Sequence, residues 1–185
     1  MKINLEDCQK KYRVIYADPA WDFKSKKSGG SMKSGASQKY TTTPIDRMKV
    51  LPVPSVADEN CLLVMWWVGS MPQEAIDLCH AWGFRLVTMT GFVWRKLTKK
   101  GKPFFGMGYT TRAGSECAMI AVKGKLANLI DDHGVRSVIE AVVGEHSAKP
   151  KEFHEAIEQL CGDVERLEMF ARSERDGWDC WGDGA

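Results

Sequence analysis

A chain of 185 residues with 44% hydrophobic and 27% charged residues has the composition of an ordinary globular domain. Its formal net charge of +2 is too small to identify a polyanion-binding protein by charge alone, and its longest uncharged apolar stretch, residues 61–71, is too short to cross a bilayer. No charged-then-apolar leader opens the chain, and the six cysteines form no C-x-x-C pair, so the sequence reads as a single cytoplasmic domain, 1–185, with reduced, structural thiols.

The first element in chain order is a strand over 12–17. Its centre, Val14-Ile15-Tyr16, is β-prone, and Asp18-Pro19 ends it because proline has no amide hydrogen to continue a ladder. Residues 24–43 are rich in Ser, Gly, Thr and Lys and predict a long loop, of a kind that in compact domains is usually functional. The apolar run at 62–68 predicts a strand buried on both faces. A helix follows, with Pro72 in its first turn, an apolar face of Ala75, Ile76, Leu78, Cys79 and Trp82, and Gly83 as its stop. Two further strands are expected at 84–94 and 117–122, joined by a Gly/Lys-rich connection over 96–114. A helix over 150–161 carries Phe153, Ile157 and Leu160 on one face, and 167–171 is expected as the last strand. This alternation predicts an α/β fold that binds ligands outside the carboxyl ends of its strands.

Asp18-Pro19-Ala20-Trp21 is the chemically distinctive segment. Asp18 offers a carboxylate and Pro19 a backbone carbonyl, two neighbouring acceptors suited to the two N–H bonds of an exocyclic amine, and Trp21 offers a flat face for a base. Such acceptors can draw the lone pair of an adenine N6 amine out of conjugation. A base in a duplex must first be flipped out, at a cost of a few kcal/mol. Taken alone, the same tetrapeptide is equally a strand-ending turn followed by a core tryptophan.

Charge is distributed unevenly. Five lysines (Lys24, Lys26, Lys27, Lys33, Lys39) stand between Phe23 and Pro44 without an acid, and Arg95, Lys96, Lys99, Lys100, Lys102 and Arg112 stand between Trp94 and Ser115, again without one. If both loops leave the carboxyl edge of the sheet they form a basic rim for phosphates, with Phe104, Phe105 and Tyr109 stacking or packing; each run alone is also an ordinary solvated loop. His80, His133, His146 and His154 show no metal-ligand spacing, and no metal is expected.

With these motifs in place, the chain from about residue 12 to its C-terminus resembles the MT-A70 family of adenine-N6 methyltransferases. The family's Asp-Pro-Pro-Trp signature is present with Ala20 for the second proline, which removes one φ lock from the turn. Tyr40 with Thr42, Trp67, Trp94 with Lys96, and Glu116 before Val122-Lys123-Gly124 fall at family-like positions. So do His146-Ser147-x-Lys149-Pro150, Leu167-Glu168-x-Phe170-x-Arg172 and Gly177-Trp178.

The resemblance implies a Rossmann-like, S-adenosylmethionine-dependent methyltransferase fold with a circularly permuted motif order, its mostly parallel sheet including an antiparallel hairpin. It implies S-adenosyl-L-methionine as cofactor and Asp18, Pro19 and Trp21 as the catalytic set. Asp18, Lys149, Glu168, Arg172, Ser173 and Asp183 are implied as the cofactor shell, Asp183 replacing the asparagine of relatives with a residue that accepts but cannot donate. Glu168 and Arg172 are expected on one face of the last strand by period-two alternation. Tyr40, Trp67, Trp94, Lys96, Lys99, Lys100, Lys102, Arg112 and Glu116 are expected to face the substrate.

The expected partner is nucleic acid, with DNA favoured over RNA because a short chain resembles the small phage and bacterial members of the family. The chain is expected to act as a monomer, or as a homodimer that completes the groove. The rival readings are an RNA adenine-N6 methyltransferase and a catalytically silent nucleic-acid-binding subunit. Retention of Asp18, Pro19, Trp21, Lys149 and Glu168 weighs against the silent subunit.

Overall fold

The structure, a computed structural model, describes residues 1–22, 43–108, 110–144 and 148–182. Tyr40, Thr42, the lysines of the first basic loop, Tyr109, His146, Ser147 and Asp183 lie outside the described residues. Seven strands are described: β1 (Tyr12–Ala17), β2 (Ala57–Trp67), β3 (Arg85–Leu97), β4 (Ser115–Lys123), β5 (Val138–Val142), β6 (Arg166–Met169) and β7 (Asp179–Trp181). They form one sheet in the order β5-β3-β4-β2-β1-β6-β7. Strand β4 runs antiparallel to both β2 and β3, and every other neighbouring pair is parallel. This is a mostly parallel, Rossmann-like mixed sheet with the antiparallel pairing that the resemblance implied.

Period-two alternation divides the central strands between two cores. Ile15, Ala17, Leu63 and Met65 pack with helices α1 (Ile45–Lys49), α2 (Val53–Val56) and α3 (Pro72–Ala81) on one face. Val14, Tyr16, Leu62, Val64 and Trp66 pack with Phe153 and Ile157 of α4 (Glu152–Cys161) on the other. Both faces of β1 and β2 are therefore covered, which is why their sequences read as unbroken apolar runs. Burial also pushes the Cys61 thiol up to about 12 and those of Cys79 and Cys161 up to about 11, leaving them protonated and inert.

Three expectations are corrected. Strand β6 ends at Met169 rather than at residue 171, because Phe170 turns left-handed at φ 61° and breaks the alternation; Glu168 and Arg172 do not share a strand face. It is followed by β7, a three-residue strand whose turn-rich approach hides it in the sequence. Strand β5 was not expected either, since as an edge strand it leaves Val138, Glu140 and Val142 exposed.

Strand β1 is where the sheet order reverses: the chain proceeds from β1 to β2 on one side, and returns through α4 to place β6 on the other. An open α/β sheet leaves a crevice at such a switch point, outside the carboxyl ends of its strands. Asp18 is the first residue beyond that end of β1. No helix among the described residues is long and apolar enough to cross a membrane.

Candidate active site

The site is a row of side chains drawn from adjacent strands at the carboxyl edge. Tyr16 and Trp66 lie on the α4 face, and the alternation that places them there also carries Asp18, Glu116, Lys96 and Glu168 to the same side. In the spatial order of the strands the row reads Lys96 on β3, Glu116 on β4, Trp66 on β2, Asp18 after β1 and Glu168 on β6. Lys149 approaches from the segment just before α4.

Lys149 joins the row together. Its ammonium donates to both Asp18 oxygens, Oδ1 at 2.9 Å and Oδ2 at 2.8 Å, stands 3.5 Å from Glu116 Oε2, and lies 5.0 Å from the centre of the Trp66 ring. The other Glu116 oxygen accepts from Lys96, whose ammonium sits 4.9 Å over the Trp94 ring. The result is an alternating chain of charges, Lys96, Glu116, Lys149, Asp18. Burial works against the Lys149 charge, but Asp18 and Glu116 outweigh it and hold the ammonium above its ordinary 10.5. Burial likewise disfavours ionised Glu116, yet Lys149 and Lys96 hold its carboxyl below the ordinary 4.5.

The turn after β1 is fixed by backbone bonding. The Asp18 amide donates to the Met169 carbonyl at 3.4 Å, the Trp21 amide to the Pro19 carbonyl at 2.8 Å, and the Thr43 amide to the Ala20 carbonyl at 3.0 Å. The Trp21 indole N–H donates to the Trp66 carbonyl at 3.1 Å. These bonds supply the constraint that a second proline would give at position 20. They also leave Trp21 only 5% exposed, so its ring braces the turn instead of standing open as a platform.

The other expected residues divide between this row and places away from it. Trp94 is core, its indole N–H bonded to the Ala141 carbonyl, and its ring lies beneath Lys96. Trp67 packs on the opposite face of the sheet with its N–H on the Met89 carbonyl; the tryptophan against Lys149 is Trp66. Lys99, Lys100, Lys102 and Arg112 are exposed on the connection between β3 and β4, which leaves the carboxyl edge, and Arg172 and Ser173 are exposed beyond the Phe170 turn.

Three residues not anticipated from the sequence support the row from beneath. His154 on α4 bonds Glu168 Oε2 through Nε2 at 2.9 Å, and its ring meets Tyr16 edge-on at 4.7 Å between centres. The Tyr16 hydroxyl accepts the Trp66 indole N–H at 2.6 Å, and burial keeps that hydroxyl protonated. A sequence signal did exist, since Tyr16 stands two residues before Asp18 and so shares its face, but the partners come from other elements.

S-adenosylmethionine carries one carboxylate, one ammonium and one sulfonium. Lys149, Asp18 and Glu168 offer one cation and two carboxylates at the switch point, with 12%, 24% and 18% of their side chains exposed. The charges are complementary and each group reaches the surface, so the residues fit the cofactor. No group of three or more His, Cys, Asp or Glu side chains able to hold a metal ion occurs among the described residues.

Comparison with known proteins gives the same chemistry. The Type II methyltransferase M.MunI of a Mycoplasma species is 33% identical over 188 residues, covering 94% of this chain and 78% of its own. The N(6)-adenine-specific methyltransferase METTL4 of Mus musculus is 25% identical over 96% of this chain, and the N6-methyladenosine RNA methyltransferase MTA1 of Pyricularia oryzae 27% identical over 93%. The chain spans only 38% and 46% of those two proteins. A model of the MT-A70 family matches residues 12–184, and the chain belongs to that family of S-adenosylmethionine-dependent adenine-N6 methyltransferases.

Proposed function

We propose that this protein transfers a methyl group from S-adenosylmethionine to the N6 amine of adenine in DNA, with Asp18 and the Pro19 carbonyl as the groups that hold the amine. The observation that carries this reading is the Asp18 carboxylate, partly exposed at the switch point and followed at once by a carbonyl fixed in a tight turn. The Pro19 oxygen spends one lone pair on the Trp21 amide and keeps the other for an incoming N–H. Asp18 accepts the second N–H, and together the two acceptors pull the nitrogen lone pair out of the ring.

The cofactor supplies an electrophilic methyl on its sulfonium. Lys149 neutralises Asp18 in this structure; it would hold the carboxylate of the cofactor's amino-acid tail, which would free Asp18 to accept from the amine. Once the amine nitrogen is methylated, Asp18 would receive its surplus proton and pass it to water at its exposed edge. Glu168, held by His154, would meet the cationic part of the cofactor, with Arg172 and Ser173 beyond the end of β6 beside it in sequence.

DNA is favoured because the Type II methyltransferase shares both the higher identity and most of its own length with this chain, and Type II methyltransferases modify DNA. This reading puts the protein in the cytoplasm with its substrate. The test is methyl transfer from tritiated cofactor to adenine-containing DNA and RNA by the wild type and by Asp18→Ala. Transfer to DNA that is lost in the variant supports the reading. Transfer that survives the substitution removes the mechanism, and transfer to RNA alone removes the substrate.

A further inference from the structure

The connection between β3 and β4 is more than a basic loop. The Leu97↔Pro103 and Gly106↔Ala113 bridges pinch it into a hairpin, and its root is bonded to β3 through the Lys96 amide on the Gly114 carbonyl and the Phe104 amide on the Lys96 carbonyl, both at 2.9 Å. Lys96 is the outer member of the charge chain that ends on Asp18. Gly106 and Gly108 permit the two sides to close: a Cβ at either position would overlap the backbone oxygen of Ala113 or of Thr111. Phe105 and Met107 alternate with those glycines, and each is 70% exposed. The Arg112 guanidinium lies 5.0 Å over the Phe105 ring and 3.9 Å from Met107 Sδ, so a cation sits between two projecting apolar side chains.

Two large apolar side chains held in water on a constrained hairpin mark an interaction surface. Lys99, Lys100, Lys102 and Arg112 surround them, with no acid anywhere in 98–114. A second copy of the chain docking symmetrically here would bring those cations together. A nucleic-acid duplex instead offers phosphates for the cations and gaps between stacked bases for the apolar tips, the pairing used by proteins that wedge Phe or Met between base steps.

We propose that this hairpin is the base-extruding wedge of the enzyme: Phe105 and Met107 enter the DNA stack beside the target adenine, while Lys99, Lys100, Lys102 and Arg112 hold the flanking phosphates. The inference rests on the DNA reading above. It assigns the cost of unstacking to a surface separate from the Asp18 chemistry.

The test uses the full chain, wild type and Phe105→Ala/Met107→Ala, with S-adenosylmethionine and a duplex carrying a site that the wild type methylates. The target adenine is placed opposite thymine in one duplex and opposite an abasic position in another. The double variant is expected to lose about tenfold to a hundredfold in kcat/KM on the paired target, with most of the loss restored when the target is unpaired. 2-Aminopurine fluorescence at the target position should fall in parallel. Equal losses on both duplexes, or none, overturn the proposal. So does a loss that tracks dissociation of a dimer in sedimentation, which would make the hairpin a contact between copies. A wild type that methylates RNA and no DNA fails at the underlying reading, before the variant is compared.

Discussion

Two lysine–carboxylate pairs stand at opposite ends of the sheet. At the amino end, Asp179 accepts from Lys10 at 2.8 Å and from the Tyr12 hydroxyl at 2.9 Å, with the N-terminal amine 3.5 Å from its other oxygen. At the carboxyl end, both Asp18 carboxylate oxygens accept from Lys149. The first carboxylate is nearly enclosed and surrounded by donors belonging to the fold. Asp18 keeps about a quarter of its side chain in solvent, and among the described residues one lysine bonds its side chain. Similar ionic chemistry therefore gives a clasp at one end and an exchangeable pair at the other, the difference lying in how many partners are built in.

The sharpest way to break this comparison is to remove each carboxylate in turn. Asp18→Asn should reduce methyl transfer by about 10²- to 10³-fold, the scale for deleting one preorganised hydrogen-bonding group at a reacting centre. Its thermal unfolding should change less than that of the clasp variant. Asp179→Ala should do the reverse, costing about 2 kcal/mol by leaving the buried Tyr12 hydroxyl without its acceptor. That corresponds to roughly 4–8 °C in Tm for a chain of this size, with activity per folded molecule kept. Equal effects of both substitutions on both readouts would erase the distinction.

A smaller effect is expected from Glu116→Gln, which leaves Lys96 and Lys149 facing each other without the anion between them. A fall of about tenfold in kcat/KM is expected, the size of coupling between contacting charges. The pH dependence sharpens the point. Burial alone would raise both Glu116 and Asp179, but their cations hold the two carboxyls below the ordinary 4.5 and 3.8. Each therefore contributes stability that is present above those values and lost as pH falls through the depressed ones. Acid unfolding of Glu116→Gln and of Asp179→Ala, followed by circular dichroism below about pH 4, should be shallower than that of the wild type.

The smallest effect tests the turn itself. The bonds that fix it run through the carbonyls of Pro19 and Ala20 and the amides of Trp21 and Thr43, and none of these uses the Ala20 amide. Ala20→Pro should therefore be accepted and should raise stability by about 0.4–1 kcal/mol through the unfolded chain, with methyl transfer unchanged. A drop in Tm would mean that position 20 has a conformation proline cannot adopt.

The sequence by itself determined the local features. The stop at Asp18-Pro19, the apolar runs of β1 and β2, the helix α3 from Pro72 and the acid-free stretch between β3 and β4 are each properties of neighbouring residues, read from period, ring closure and charge. Only the tertiary structure decided which of them meet. Glu116 and Lys149 are separated by 33 positions and Lys149 and Asp18 by 131, and nothing local to any of them specifies the others. The same reason explains the misreadings. Trp66 and Trp67 are adjacent in sequence, but strand alternation sends one to Lys149 and the other to the opposite core. Trp21 and Trp94 are aromatic in sequence and buried in the fold. Arg172 leaves the expected strand face because of a single left-handed residue at Phe170. Residue type fixed what each group can do, while register across the sheet fixed which groups stand together at its carboxyl edge.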